Sequence, residues 1–391
     1  MWARASALAL ALALAVPAAG AAQDRGPAPT SAADLAAAID RLGDLDYPAR
    51  VAAARTIRRT AAAQAVPALL RAVDEHGDGY VRFRALVLLT GFNDPRIADA
   101  MESALASPND RLRELAYGYF EHHPERPLVT RFLDALDKEP GEFVRPAIVR
   151  ALAAQGDDPR VREALTRDIM RGVDFFRSTV IEAVGDYRLA FAVPRLIDVA
   201  RLDGPLQDDA VVALGKIGDA RALGVLAELQ RTAPETVQPA IAAAICLLGS
   251  NCGSHVGYLE RVLRFGEDHP GYQELIRGAA AGLGAVAVKG DEDALRILLD
   301  VGVPSQDPLR APLALALGLV ALRNTPLMLK TLQALADPAP AIDLLAEGFD
   351  MLEEDLEEER FFVAVRRAYW AAPEGAPMRA LGEALITKLD F

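Results

Sequence analysis

The sequence predicts an all-α solenoid, and three observations predict it. First, an arginine recurs at Arg50, Arg82, Arg113, Arg145 and Arg177, in steps of 32, 31, 32 and 32 residues. Each follows a small or apolar residue (Ala49, Val81, Leu112, Val144, Phe176) and opens a run with helical periodicity. A fixed period of this length marks a repeat array, in which one supersecondary unit stacks on the next.

The second observation is the stripe that travels with the arginine. Val81, Ala85, Leu88, Leu89 and Phe92 fall at i, i+4, i+7, i+8 and i+11, and Leu206, Ala210, Ala213, Leu214 and Ile217 repeat those offsets. This spacing puts all five on one face of a helix. A second apolar helix precedes each one: Val193, Leu196, Ile197 and Ala200 form such a stripe ahead of a turn at Asp203, Gly204 and Pro205. The third observation is the punctuation. Gly156–Asp157 and Gly218–Asp219 close two of the units, where glycine is expected to take the left-handed conformation that ends a helix.

Continuing the register, the arginine position becomes Gln207, Gln238, Arg277, Arg310, Asp343 and Arg379, which predicts about eleven helical pairs. The step from Gln238 to Arg277 is 39 residues, and the excess around Gly249–Gly253 and Gly266–Gly271 predicts a protruding loop. No hairpin dipeptide separates alternating apolar runs, so strands have no support.

Composition agrees. Apolar residues make up 52% of the 391 and aromatics only 6%, with alanine supplying much of the total. Small side chains suit close helix packing better than a β-sandwich. The net charge of −13 is uneven, with 25 basic and 27 acidic side chains in residues 1–200 against 17 and 28 in residues 201–391. Such a balance argues against binding nucleic acid, which needs a basic patch.

The N-terminus reads as a secretory signal peptide over residues 1–21. Arg4 supplies a positive charge, Ala5 to Val16 carries none, and Ala19 and Ala21 fit a cleavage site. The apolar run is far short of the ~20 residues that span a bilayer, so the chain is expected to be exported rather than membrane-spanning. Residues 22–30, rich in Pro, Gly and Ala, are expected to form a flexible leader, and residues 31–391 the solenoid.

The residues of the repeat carry a resemblance. Pro67, Asp78, Val81, Arg82 and Ala85 in one unit, Val144, Arg145, Ala151, Leu152, Gly156 and Asp157 in another, and Ala210–Asp219 in a third resemble the short bacterial type of HEAT repeat. The resemblance implies a right-handed α-solenoid whose second helices line the concave side. It also implies that the turn aspartate and the helix-B arginine help join successive repeats. Asp46 with Arg50 and Asp78 with Arg82 keep both members, whereas Gly141 and Val173 replace the acid elsewhere.

Candidate chemistry is sparse. The constant phase of the ladder arginines against the core stripe gives them a structural role, leaving Arg84 and Arg111, off the ladder, as better binding candidates. Cys246 and Cys252 are six residues apart. In an exported protein they favour a disulfide, with free thiols, a Cys252–His255 nucleophile pair and a metal site with His255 as the alternatives. His122 and His123 diverge by about 100° on a helix and do not share a metal, so they are expected to cap a helix C-terminus. Asp74–Gly79 lacks the ligands of a calcium loop and reads as a turn.

The acidic run Glu353, Glu354, Asp355, Glu357, Glu358 and Glu359 is expected to face solvent, and Trp370 is a candidate exposed aromatic. No catalytic fingerprint occurs, no catalytic, cofactor or metal residue is assigned, and no cofactor is implied. The expected function is non-catalytic protein or peptide binding outside the cytoplasm. The alternative is a HEAT-like lyase or isomerase acting on a tetrapyrrole-bearing protein, a class that acts inside the cell.

Overall fold

The computed structural model describes residues 29–391 apart from residue 353. The signal-peptide segment 1–21 and most of the leader therefore lie outside the described residues. Thr30, the leader's last residue, hydrogen-bonds through its backbone N–H to Gln64 Oε1 (3.2 Å) and through its hydroxyl to Thr60 (2.8 Å). Ser31 then caps the first helix, its hydroxyl accepting from the Asp34 N–H, where the sequence places the start of helical patterning.

Among the described residues there are 22 α-helices, paired as the repeat count predicts. The first four pairs are α1 (Ala32–Asp40) with α2 (Tyr47–Arg59), α3 (Ala62–Glu75) with α4 (Gly79–Thr90), α5 (Arg96–Ala104) with α6 (Asp110–His122), and α7 (Val129–Lys138) with α8 (Val144–Ala153). The next four are α9 (Pro159–Asp168) with α10 (Asp174–Asp186), α11 (Val193–Ala200) with α12 (Gln207–Ile217), α13 (Ala222–Thr232) with α14 (Gln238–Leu247), and α15 (Cys252–Asp268) with α16 (Gln273–Val288). The last three are α17 (Glu292–Gly302) with α18 (Arg310–Arg323), α19 (Thr325–Ala334) with α20 (Ala339–Leu352), and α21 (Asp355–Ala371) with α22 (Pro377–Lys388).

The even-numbered helices pack on one another along the array, α6 on α8, α10 on α12, α12 on α14, α16 on α18 and α18 on α20. Small residues permit this. A Cβ on Gly348 of α20 would stand 2.2 Å from the carbonyl oxygen of Ala314 on α18, so only glycine lets these two backbones approach. The predicted stripes are the core: Val81, Ala85, Leu88 and Leu89 are buried, as are Ala210, Ala213 and Leu214. Burial runs along the whole array in two connected clusters, as expected where each unit covers its neighbours.

Two local expectations are corrected. The extra residues of the 39-residue step do not protrude as a loop. They lengthen α15 to 17 residues and α16 to 16, because Val256, Leu259, Val262 and Leu263 continue a buried stripe through the segment. The break before α15 is a tight turn in which Gly249 (φ +79°) and Asn251 (φ +48°) take left-handed conformations. Gly218 is left-handed as predicted (φ +79°), but Gly156 keeps a negative φ and instead makes room for Leu189, whose Cδ2 lies 2.5 Å from where a Cβ would stand.

The largest correction concerns α21. It leaves the outer layer and lies across the inner face, touching α4 and α6 from the start of the chain and α18 from near its end. The array is thereby closed, and Asp355, Glu357 and Glu359 of the acidic run, which the sequence suggested would face solvent, are turned inward; Glu353 lies outside the described residues. Glu357 and Glu359 are 7% and 1% exposed.

Candidate functional site

The ladder comes first, because it fixes where the other side chains point. Most positions lie near the start of a second helix and reach back to carbonyls at or just past the end of the helix before it. Arg82 Nε donates to Val73 O (2.7 Å), Arg113 Nη1 to Ser107 O (2.8 Å) and Arg177 Nε to Ile169 O (3.1 Å). Arg50 reaches Asp44 O (2.8 Å), Arg310 reaches Val303 O (3.1 Å) and Arg379 reaches Ala372 O (2.8 Å). A helix end leaves its last carbonyls without intrahelical partners, and these cations satisfy them.

Two of the three departures from arginine keep that function. Gln207 Nε2 donates to Ala200 O (2.8 Å) and Gln238 Nε2 to Ala233 O (3.0 Å). Asp343 does not cap; it pairs with Lys388 of α22 (2.5 Å). Arg145 spends its charge on the Phe176 ring, 4.0 Å from the centroid. The aspartates also work inside the pair: Asp46 caps α2 by accepting from Ala49 N–H (3.2 Å), and Asp78 caps α4 by accepting from Tyr80 N–H (2.8 Å). Where Gly141 and Val173 replace the acid, α8 and α10 have no side-chain cap. The bonds that join successive pairs run from Arg113 to Glu139 (2.6 Å) and from Arg310 to Glu347 (2.7 Å).

Past the ladder, the far ends of the second helices bring charge to the inner face. Arg58 on α2 donates from both Nε (2.9 Å) and Nη2 (2.6 Å) to Oε2 of Glu359 on α21. Arg84 on α4 pairs with Asp355, and His122 on α6 pairs with Glu357. From the other end of the array, Arg323 on α18 reaches Glu354 (3.2 Å) and Glu357 (3.5 Å). Deeper along the face, Arg150 bridges Glu121 (2.9 Å) and Asp186 (3.1 Å), Lys216 joins Asp186 (2.7 Å), and the Tyr187 hydroxyl donates to Glu121 (2.9 Å).

Burial and these neighbours shift several acidities in opposite directions. Burial, with Asp355 and Glu354 alongside, raises the Glu358 carboxyl to about 7 against the pull of Arg84. Burial would also raise Glu357, but the hydrogen bond and charge of His122, with Arg323 and Arg360, hold it at about 2. Burial raises Glu354 despite Arg323. Burial and then Glu121 push the Tyr187 hydroxyl far up, so it stays a donor. The arrangement can hold an acidic helix. Among the described residues, no group of three or more His, Cys, Asp and Glu is placed to hold a metal ion.

The sequence candidates are scattered. Arg84 belongs to this face, whereas Arg111 lies over the Tyr80 and Phe83 rings (5.9 and 5.6 Å). His123 ends α6 and stacks on Tyr119. Trp370 is 42% exposed, with Arg379 over its ring (5.0 Å). Cys246 and Cys252 are paired, Cα to Cα 4.1 Å, which leaves no thiol beside His255. Sequence reasoning missed Arg58, Arg150 and Arg323. A signal for part of the face was present: Arg58, Glu121, His122, Asp186 and Lys216 fall eight or nine residues after their ladder positions.

Residues 35–119 match the family model described as HEAT repeats. No curated protein matches the chain. Among solved structures, YibA of Escherichia coli is 18% identical, covering 56% of this chain and 82% of its own, at a TM-score of 0.42. Importin β is 12% identical, covering 90% of this chain and 57% of its own, at 0.36. UNC-45 from Drosophila melanogaster is 15% identical, covering 90% and 67%, at 0.23. At these TM-scores the likenesses carry no argument. The family match covers the first three pairs, which therefore carry HEAT repeats, and the same pair architecture continues through α22.

Proposed function

We propose that this protein is a non-catalytic scaffold that binds other proteins outside the cytoplasm. The observation that carries the reading is the solenoid itself, in which eleven stacked pairs spread side chains along a continuous surface rather than around one enclosed cavity. A cleft of about 370 Å³ between α1 and α3 is lined by apolar residues such as Leu35, Ile39 and Pro67 together with Asp40, Gln64 and Arg71. Placement outside the cytoplasm rests on Arg4, the uncharged run to Val16 and the small residues at Ala19 and Ala21. No single helix among the described residues is long and apolar enough to cross a membrane.

The test has two arms. Mass spectrometry of the cell-derived protein should find a mature start near Ala22; an intact Met1 in the cytoplasmic fraction removes the export reading. Crosslinking in the native envelope or medium should recover a defined protein partner. A chain that remains uncrosslinked at every extract concentration removes the scaffold reading.

A further inference from the structure

We propose that the inner face of the first three pairs is a recognition site for an acidic helical segment of a partner protein, and that the start of α21 is its built-in occupant. The proposal rests on the scaffold reading above and names the site and partner chemistry within it. Partner binding and opening of the closed array are then one event, the partner's helix taking the place of the chain's own.

Charge complementarity comes first. Each of the first three pairs presents one nitrogen-bearing side chain inward, the guanidinium of Arg58, the guanidinium of Arg84 and the imidazole of His122, and each meets a different carboxylate of α21: Glu359, Asp355 and Glu357. The contacts span 301, 271 and 235 residues of sequence. Nothing in the local pairing of helices requires contacts this far apart in sequence.

Shape agrees with charge. Gly91, just past α4, and Gly118, on α6, lie where α21 passes. A Cβ on Gly91 would stand 2.5 Å from Glu359 Oε1, and one on Gly118 would stand 3.0 Å from Leu356 Cδ2. The face is therefore recessed for a helix that carries carboxylates around one leucine.

The division of α21 shows how it can leave. Leu356 packs against the cluster of the front pairs, whereas Phe361, Phe362, Val365 and Tyr369 belong to the rear cluster with Phe349 and Phe391. The rear half is held by apolar packing, and the front half by ion pairs and one leucine. Releasing both charges of a pair into water together avoids the large penalty of stranding one of them buried.

The test uses the full chain and a fluorescent peptide of residues 352–371. Asp355→Asn with Glu359→Gln keeps the shape of α21 but removes two of its charges. This variant should show a larger radius of gyration by X-ray scattering than the unaltered chain. It should also bind the peptide at least about tenfold more tightly, because apparent affinity scales with the fraction of open molecules. Adding Arg58→Gln and Arg84→Gln should weaken that binding about tenfold or more, and a peptide with its acids changed to Gln should not bind. An unchanged radius with no peptide binding overturns the proposal, as does binding that survives loss of both arginines.

A crosslinked form guards against simple misfolding. Gly118→Cys with Leu356→Cys, joined by a short bismaleimide, should take up no peptide while its circular dichroism stays helical; uptake by this locked chain overturns the exchange. The scaffold reading fails separately. A chain that takes the peptide but crosslinks to no envelope protein supports the exchange and sinks the general role, whereas a chain that crosslinks yet refuses the peptide sinks the exchange alone.

Discussion

The Arg58 guanidinium meets the Glu359 carboxylate at 2.6 Å across 301 residues of sequence, and the two side chains are only 7% and 1% exposed. This pair joins the first unit of the array to the last. Breaking a buried pair by removing one partner strands the other charge, at a cost of about 3–5 kcal/mol. Glu359 keeps Arg366 at 3.2 Å, so Arg58→Ala should fall at the lower end, about 3 kcal/mol. Replacing both partners with Met should recover most of the loss. Hydrogen exchange of α21 is the suitable readout, because a repeat array opens unit by unit. Protection of α21 that does not change in Arg58→Ala would contradict the closure.

Closure should depend on pH through the same helix. Glu358 sits at about 7 in the closed array and returns towards its ordinary 4.5 when α21 is released. It faces Asp355 and Glu354 on its own helix, Arg84 from α4 and Tyr47 from α2. A raised carboxylate favours the proton-holding closed state at low pH, and that contribution fades as pH rises from about 4.5 through 7. Glu354 shifts in the same direction. Glu357, held at about 2, works in the opposite sense: its contribution is present above 4.5 and lost as pH falls towards 2. The array should thus be tightest near pH 4.5 to 5 and looser at pH 8. X-ray scattering from pH 5 to 8 should show expansion, and Glu358→Gln should reduce it. A radius constant across that range would refute the linkage.

The ladder yields a contrast between two arginines with the same repeat position. Arg113 caps Ser107 O and meets Glu139, whose side chain is 6% exposed; its loss strands a buried carboxylate and a helix end. Arg277 pairs only with Glu274, and both are well exposed. Arg113→Ala should therefore cost about 2–4 kcal/mol, while Arg277→Ala should stay within about 0.5 kcal/mol. Urea unfolding followed by circular dichroism measures both. Equal effects would mean that phase in the repeat, and not the capping bond, sets the cost.

The legible part of this protein is the part that repeats. A period near 32 and the stripe of Val81, Ala85, Leu88 and Leu89 suffice for eleven pairs, because each unit meets the same neighbours and so keeps the same pattern. The ladder's structural role was legible from its phase, although its partners are the carbonyls of its own pair more often than the next pair. Closure was not legible. Contacts such as Arg84–Asp355 join positions 271 residues apart and leave no period, and an acidic run beside Leu352 and Leu356 has the same sequence whether it faces water or the arginines of α2, α4 and α18. The long α15 was misread for a similar reason: glycines at 253, 257 and 266 suggest a loop, but the tertiary stripe of Leu259 and Leu263 overrides that preference.

The Cys246–Cys252 pair makes the last prediction, and its size follows from its short loop. The two residues are six apart, at the end of α14 and the start of α15, with Cα atoms 4.1 Å apart. Closing so short a loop restricts the unfolded chain by only about 2 kcal/mol in the chain-entropy account. Reduction should therefore lower stability modestly and leave the helical spectrum intact. It should be felt at the turn through Gly249 and Asn251, whose left-handed conformations the bond spans. Thiol titration of the denatured, unreduced protein should find no reactive group, and two after reduction. Two thiols before reduction would show that the turn holds without the bond, and would return Cys252 and the neighbouring His255 to consideration as a reactive pair.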